Sequence, residues 1–259
     1  MKIGVYSITG CMGCLLSIIF NEKDLLELND KVEIAAFPFI KDNEEVQKFD
    51  VLIVEGVVTH NDDLETIKKL RSRSKYLVAL GACACTGGIP SYRNFVPYAS
   101  YKHLVYNKEM DIADREPEPI DAHVKVDHYI PGCPPDKMEI LNFFKDLSLG
   151  KKPRTYTDPV CIECRLNGNF CLLDRGKICL GPITQGGCNS ICINGGFECW
   201  GCRGPTDDAN FEAMKELLKS KGFTAEQIRK RMLTFAGLRM KFLNKIPPER
   251  GIDNDKNQP

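Results

Sequence analysis

No sign of charge predominates in this chain: 35 lysines and arginines face 35 aspartates and glutamates over 259 residues. That balance excludes the basic surface by which proteins hold nucleic acid. No stretch approaches about eighteen uncharged apolar residues, so nothing reads as a membrane span. Histidine is scarce. His60, His103, His123 and His128 have none of the spacing to cysteine that a mixed zinc site uses, and they read as ordinary side chains. There is no Gly-x-Gly-x-x-Gly, no P-loop and no hydrolase triad. Met1 runs straight into a strand-like segment, with neither a basic-and-apolar leader nor a twin-arginine stretch. The chain is therefore expected in the reducing cytoplasm.

Cysteine is what the chain has in excess: thirteen, in two differently built groups. Cys11, Cys14, Cys83, Cys85 and Cys133 are dispersed over the first half. Cys161, Cys164, Cys171, Cys179, Cys188, Cys192, Cys199 and Cys202 are packed into one short block. Disulfides are rare in a reducing compartment, so thiols in this number point to metal.

The first half predicts an α/β fold. Apolar runs at residues 3–8, 32–40, 51–55, 76–80 and 126–130 read as buried strands. Residues 15–28 and 61–75 read as helices between them, the second capped by Asn61 or Asp62 with Leu64, Ile67 and Leu70 on one face. Alternating strands and helices imply a mostly parallel sheet of flavodoxin-like order. After successive strands come Thr9-Gly10-Cys11-Met12-Gly13-Cys14, Glu55-Gly56, Gly81-Ala82-Cys83-Ala84-Cys85-Thr86-Gly87-Gly88 and Gly132-Cys133-Pro134-Pro135. In a parallel sheet these loops share the carboxyl edge, where such sheets bind ligands, so thiols distant in sequence can converge there.

These four motifs, in this order, resemble the small subunit of [NiFe] hydrogenases. The resemblance implies that Cys11, Cys14, Cys83 and Cys133 bind a proximal [4Fe–4S] cluster, the one nearest the nickel–iron centre of the large subunit. Cys85 falls at a variable position of its motif and is the spare thiol. Glu55 would lie on a proton path toward nickel, although a carboxylate there can equally serve only to accept nearby backbone amides.

The cysteine block divides as Cys161-x2-Cys164-x6-Cys171-x7-Cys179 and Cys188-x3-Cys192-x6-Cys199-x2-Cys202. Its Cys-x2-Cys pairs are compatible with structural zinc, and neither set has bacterial ferredoxin spacing, so spacing alone leaves zinc and iron–sulfur both open. The element Cys179-Leu180-Gly181-Pro182-Ile183-Thr184, followed by Gly187-Cys188, is similar to the corresponding run of the hydrogenase small subunits. By that resemblance Cys161, Cys164, Cys171 and Cys179 hold a distal [4Fe–4S] cluster. Cys188, Cys192, Cys199 and Cys202 hold a medial one. The exported branch of the family uses histidine where Cys161 stands and often proline where Cys192 stands. Both departures imply all-cysteinyl clusters, and a thiolate in place of imidazole lowers the potential.

Residues 1–152 are thus expected to form a flavodoxin-like domain and 153–259 a loop-rich iron–sulfur domain ending in helices, with Lys151-Lys152-Pro153-Arg154 as linker. Residues from Asn210 to about Leu243 read as helical. Phe211, Met214, Leu217 and Leu218 form one apolar stripe, and Ile228, Met232 and Phe235 form another behind a Thr224 cap. Residues from Ile246 on read as a polar tail. Trp200 is expected to shield the medial cluster. The basic run Arg229-Lys230-Arg231, with Arg239 and Lys241, reads as a solvated face or a docking site.

The resemblance implies an electron-transfer subunit with no catalytic residue of its own. The nickel–iron centre would be held by a large subunit, and further iron–sulfur clusters and a flavin meeting NAD(P) by other partners. Cys161-Ile162-Glu163-Cys164-Arg165-Leu166-Asn167-Gly168 is most similar to the delta subunits of archaeal sulfhydrogenases. Alternatives are the corresponding subunit of an F420-reducing or heterodisulfide-reductase-linked hydrogenase, a quinone-linked complex subunit sharing the first domain, and a zinc-stabilised scaffold.

Overall fold

The structure, a computed structural model, describes residues 1–26, 31–40, 48–96 and 115–240. Five parallel strands form one sheet: β1 (Lys2–Ser7), β2 (Glu33–Ala36), β3 (Phe49–Glu55), β4 (Ser74–Leu80) and β5 (His128–Ile130). Their order is β2-β1-β3-β4-β5, the flavodoxin-like order that the alternating pattern predicts. Central β3 is apolar on both faces. Val51 and Ile53 join a core with Ile3, Val5, Ile18 and Phe143, while Leu52 and Val54 join a second core with Ile67, Leu77 and Ile120. Such two-sided burial is what a covered parallel sheet requires. Gly4 on β1 leaves room for the Phe49 ring, which a Cβ there would meet at 2.7 Å.

Several elements are shorter than the apolar runs suggest. The expected helix over 15–28 is two pieces, α1 (Gly13–Ile19) and α2 (Glu22–Leu26); Leu28 lies outside the described residues. Buried Asn21 divides them, donating to Ser17 O at 3.2 Å and to Lys137 O at 2.8 Å. β2 stops at Ala36 because Phe37 opens a turn, with Ile40 N donating to Phe37 O at 2.9 Å. β5 starts at His128; just before it, the Asp127 carboxylate accepts from Leu77 N at 2.9 Å in place of a strand carbonyl. Helix α3 (Asn61–Ser72) starts one residue earlier than the Asn61 or Asp62 cap implies. Its N-cap is His60, whose amide donates to Asp63 Oδ2 at 3.0 Å.

Helices α4 (Gly81–Thr86) and α5 (Lys137–Ser148) follow β4 and β5. The rest of the chain builds a third core. It joins residues around the cysteines (Leu173, Leu180, Ile183, Ile193) to Met214 and Leu218 of α8 (Phe211–Ser220) and to Ile228 and Met232 of α9 (Ala225–Ala236). Short helices α6 (Val160–Leu166) and α7 (Ile191–Asn194) carry thiols at its rim. The cysteine block itself is poor in apolar runs; the two later helices supply its missing hydrophobic partners. Leu217, expected in the stripe, is exposed, whereas Thr224 caps α9 through a reciprocal pair with Gln227 at 2.9 and 3.2 Å. Leu243, Lys241, His103 and the tail from Ile246 lie outside the described residues. Among those described, no helix is long and apolar enough to cross a membrane.

Candidate metal centres

All thirteen cysteines are free thiols, and twelve of them gather into three sets. The first set is held by the loops after β1, β4 and β5. Thr9 anchors the first loop: its hydroxyl donates to Asp63 Oδ2 at 2.9 Å, and its carbonyl accepts from Val57 N at 2.8 Å. Asp63 also accepts from Thr59 N at 2.9 Å; burial pushes its carboxyl up, but these donors hold it below the usual range. Met12 then takes a left-handed conformation (φ 60°) and starts α1, which places Cys14 in the first helical turn. Glu55, 1% exposed, accepts the Cys14 amide at 3.1 Å and the Ser7 hydroxyl at 2.9 Å.

The second and third loops are tied together by Ala82 N donating to Gly132 O at 2.7 Å. Glycines clear the space around the thiols: a Cβ on Gly81 would stand 2.2 Å from Cys14 Sγ, and one on Gly88 2.9 Å from Cys83 Sγ. Burial raises the Cys83 thiol to about 12, helped by Cys133 and Cys11. Burial likewise raises Cys14, then Glu55, Cys83 and Cys133 add to it. Cys133 is raised by burial and by Cys11. The four act as one electrostatic set. Cys85 is not among them. Two residues on in the same short helix, it points the other way and donates its Sγ–H to Ala79 O at 3.3 Å, next to Arg203 and Arg239.

In the second set, Cys161 and Cys164 stand three apart on α6 and so share a face. Burial lifts Cys161 to about 12, with Cys179, Cys164 and Cys171 adding to the rise. Gly181 lies against this set, since a Cβ there would meet Cys161 Sγ at 3.2 Å and Cys179 Sγ at 3.6 Å.

Cys188, Cys192, Cys199 and Cys202 line one cavity of about 160 Å³, together with Trp200 and Arg203. Cys133 of the first set reaches the same cavity. Cys199 N, from the set lining this cavity, donates to Cys179 Sγ of the second set at 3.4 Å. The last set in sequence is therefore the middle one in space. Each set offers four soft sulfur donors, with glycine-cleared room beside the first two and a cavity within the third. Among the described residues no three His, Cys, Asp or Glu side chains converge on a single-ion site. Sulfurs ringing a volume fit a sulfide-bridged polynuclear group.

Polar residues take partners that the sequence does not announce. Glu163, between Cys161 and Cys164, accepts from Ser190 N at 3.0 Å and from Gly187 N, on either side of Cys188. Arg231 stacks 3.6 Å above the Trp200 ring and donates to Glu198 at 3.1 Å and to Ile178 O. Arg239 donates to Cys85 O at 2.6 Å and to Asp121. So two members of the basic cluster face inward, while Lys230 pairs with Glu226 at the surface. His128 stacks on Phe143 at 5.2 Å, and His123 lies 3.3 Å from Glu118. Only partner geometry reveals these roles; a lone arginine or glutamate has no signature in one sequence.

A parallel sheet gathering thiols on its carboxyl edge, continued by two further thiol sets, is the architecture of a thiolate-bearing oxidoreductase subunit. The chain belongs to the family described as NADH ubiquinone oxidoreductase, 20 Kd subunit, whose pattern matches residues 11–147. Its relatives are hydrogenase subunits. It is 39% identical to sulfhydrogenase 2 subunit delta of Pyrococcus furiosus, over 91% of this chain and 99% of that one. It is 32% identical to a vhu F420-non-reducing hydrogenase subunit of Methanocaldococcus jannaschii, over 80% and 83%. Among solved structures, an NAD+-reducing [NiFe]-hydrogenase in the H2-reduced state superposes with a TM-score of 0.52 and 31% identity, over 60% of this chain and 94% of that one. With 91% of the chain covered, the Pyrococcus match extends well past residue 147 and across the second and third thiol sets.

Proposed function

We propose that this chain is the electron-transfer small subunit of a cytoplasmic [NiFe] hydrogenase complex. Cys11, Cys14, Cys83 and Cys133 would hold a proximal [4Fe–4S] cluster. Cys188, Cys192, Cys199 and Cys202 would hold a medial one, and Cys161, Cys164, Cys171 and Cys179 a distal one. Bound there, the clusters supply one-electron carriers. The protein's own part is to present thiols, exclude water and keep neighbouring sets in contact. The observation that carries this reading is the contiguity of the sets: Cys133 opens into the cavity of the third set, whose Cys199 amide touches Cys179 of the second. A structural zinc protein needs no such series. Thirteen thiols without a disulfide suit a reducing compartment.

The partners in this reading are a large subunit carrying the nickel–iron site, on the side of the first set, and iron–sulfur and flavin/NAD(P) subunits beyond the second. The 39% identity to a sulfhydrogenase delta subunit favours that assembly. The 32% identity to an F420-non-reducing hydrogenase subunit supports, as a second reading, the corresponding subunit of a hydrogenase of that kind, with the same clusters. A quinone-linked subunit fits less well, because the family pattern ends at residue 147, before eight of the cysteines.

The test is iron, zinc and acid-labile sulfide per chain on anaerobically isolated protein, with the reduced-state EPR spectrum. About twelve iron and about twelve sulfide support three clusters. About four iron would keep only one, and zinc without sulfide would end this reading.

A further inference from the structure

Arg203 follows the last thiol of the medial set and is 3% exposed. Its Nη1 donates to Pro131 O at 2.8 Å, two residues before Cys133 of the proximal set. Its Nε donates to Gly186 O at 2.5 Å and to Gln185 O at 3.2 Å, in the segment that leads to Cys188. The guanidinium lies close against that segment: a Cβ on Gly187, itself at φ +107°, would stand 2.4 Å from Arg203 Nη2. Glu139 of α5 completes the cage, accepting from Nη1 at 2.6 Å and from Nη2 at 2.9 Å. Tyr156 covers the outer side at 5.6 Å. One side chain thus joins the loops that carry proximal and medial thiols.

We propose that Arg203 is a positioning residue that sets both the spacing of the proximal and medial centres and the relative potential of the medial one. The inference rests on the cluster reading above. A guanidinium keeps its charge at every working pH, and its planar fork suits a buried bidentate pair. The pair is oriented. Arg203 lines the cavity of the medial thiols and Glu139 does not, so the positive end of the dipole faces the medial sulfurs. In a water-poor site such a charge is weakly screened, and it favours the state with the extra electron. Removing the guanidinium therefore makes the medial centre harder to reduce, whereas removing the opposing carboxylate makes it easier. Truncating either partner strands the other in the interior, which costs stability whatever happens to the potential.

The experiment is an EPR-monitored redox titration of the purified holo complex carrying Arg203→Gln, Arg203→Lys or Glu139→Gln, with iron content and thermal midpoint measured on the same samples. Arg203→Gln is expected to lower the medial reduction equilibrium by about tenfold, about 59 mV for one electron, with a smaller proximal change. Glu139→Gln is expected to move it the other way. Arg203→Lys keeps the charge and should hold the potential near the parent value while lowering the thermal midpoint. An unchanged medial potential in iron-replete Arg203→Gln overturns the proposal, as does a shift of the same sign in both charge variants. Should Arg203→Gln lose iron, Glu139→Gln decides: no shift, or a downward one, overturns it. A parent complex without the medial cluster overturns the cluster reading instead, and iron analysis separates the two failures.

Discussion

Gly81 and Cys14 occupy the same small volume from two loops: the Cβ that any other residue would place at 81 lies 2.2 Å from Cys14 Sγ. Gly81 also has φ +84°, a conformation that L side chains avoid. Gly81→Ala should therefore displace the Cys14 thiol and cost about 1 kcal/mol or more in backbone strain alone. The expected outcome is loss of the proximal cluster with the other two retained, seen as about a third less iron per chain.

Cys83 and Cys85 stand two apart yet face different partners. Cys83 is coupled to Cys133 and Cys11, whereas Cys85 is sealed behind β4 on Ala79 O. Cys83→Ala should remove the proximal cluster. Cys85→Ser should leave iron and EPR unchanged and shift stability by about 1 kcal/mol, the scale of one hydrogen bond. Equal iron loss in both variants would contradict the assignment.

Glu55 accepts the Cys14 amide and the Ser7 hydroxyl, which already accounts for its burial. Glu55→Gln keeps one acceptor for that amide, so iron should stay bound. If the carboxyl also carries protons toward the nickel site, hydrogen–deuterium exchange by the complex falls about 10²-fold, in the range of general acid–base effects. An unchanged rate leaves Glu55 as a structural acceptor only. Glu55→Ala strands the Cys14 amide and should cost about 1–3 kcal/mol.

His128 is pushed down from 6.5 to about 4, first by burial and then by Lys152. Between those two values the unfolded chain binds a proton that the folded chain refuses. Its contribution is therefore nil above pH 6.5, and stability falls as pH drops from 6.5 toward 4. His128→Phe, which preserves the stack on Phe143, should flatten that limb. Thermal midpoints of the two proteins across this window, measured anaerobically, should diverge as pH falls.

Much of this was legible in one sequence because the relevant signals are local. Apolar runs alternating with helical patterns specify a parallel sheet, and a parallel sheet must place its loops on one edge, so the approach of the thiol-bearing loops to one another follows from order; which of their cysteines form a set was implied only by the resemblance. Boundaries were less legible. Asn21 and Asp127 end elements through side-chain bonds to distant carbonyls and amides that no periodicity announces. The third core was understated because its apolar half comes from α8 and α9 rather than from the cysteine block.

The sequence by itself determined the strand–helix alternation, the block of eight closely spaced thiols and the glycines beside the thiol-bearing turns, since each is written in residues close together in the chain. The tertiary structure decided which of Cys83 and Cys85 faces the edge, that the last thiol set stands between the other two, and that Arg203 with Glu139 and Arg231 with Trp200 bind the parts together. Those relations join residues far apart in sequence. Their energies come from burial and from partners that exist only once the chain has closed on itself.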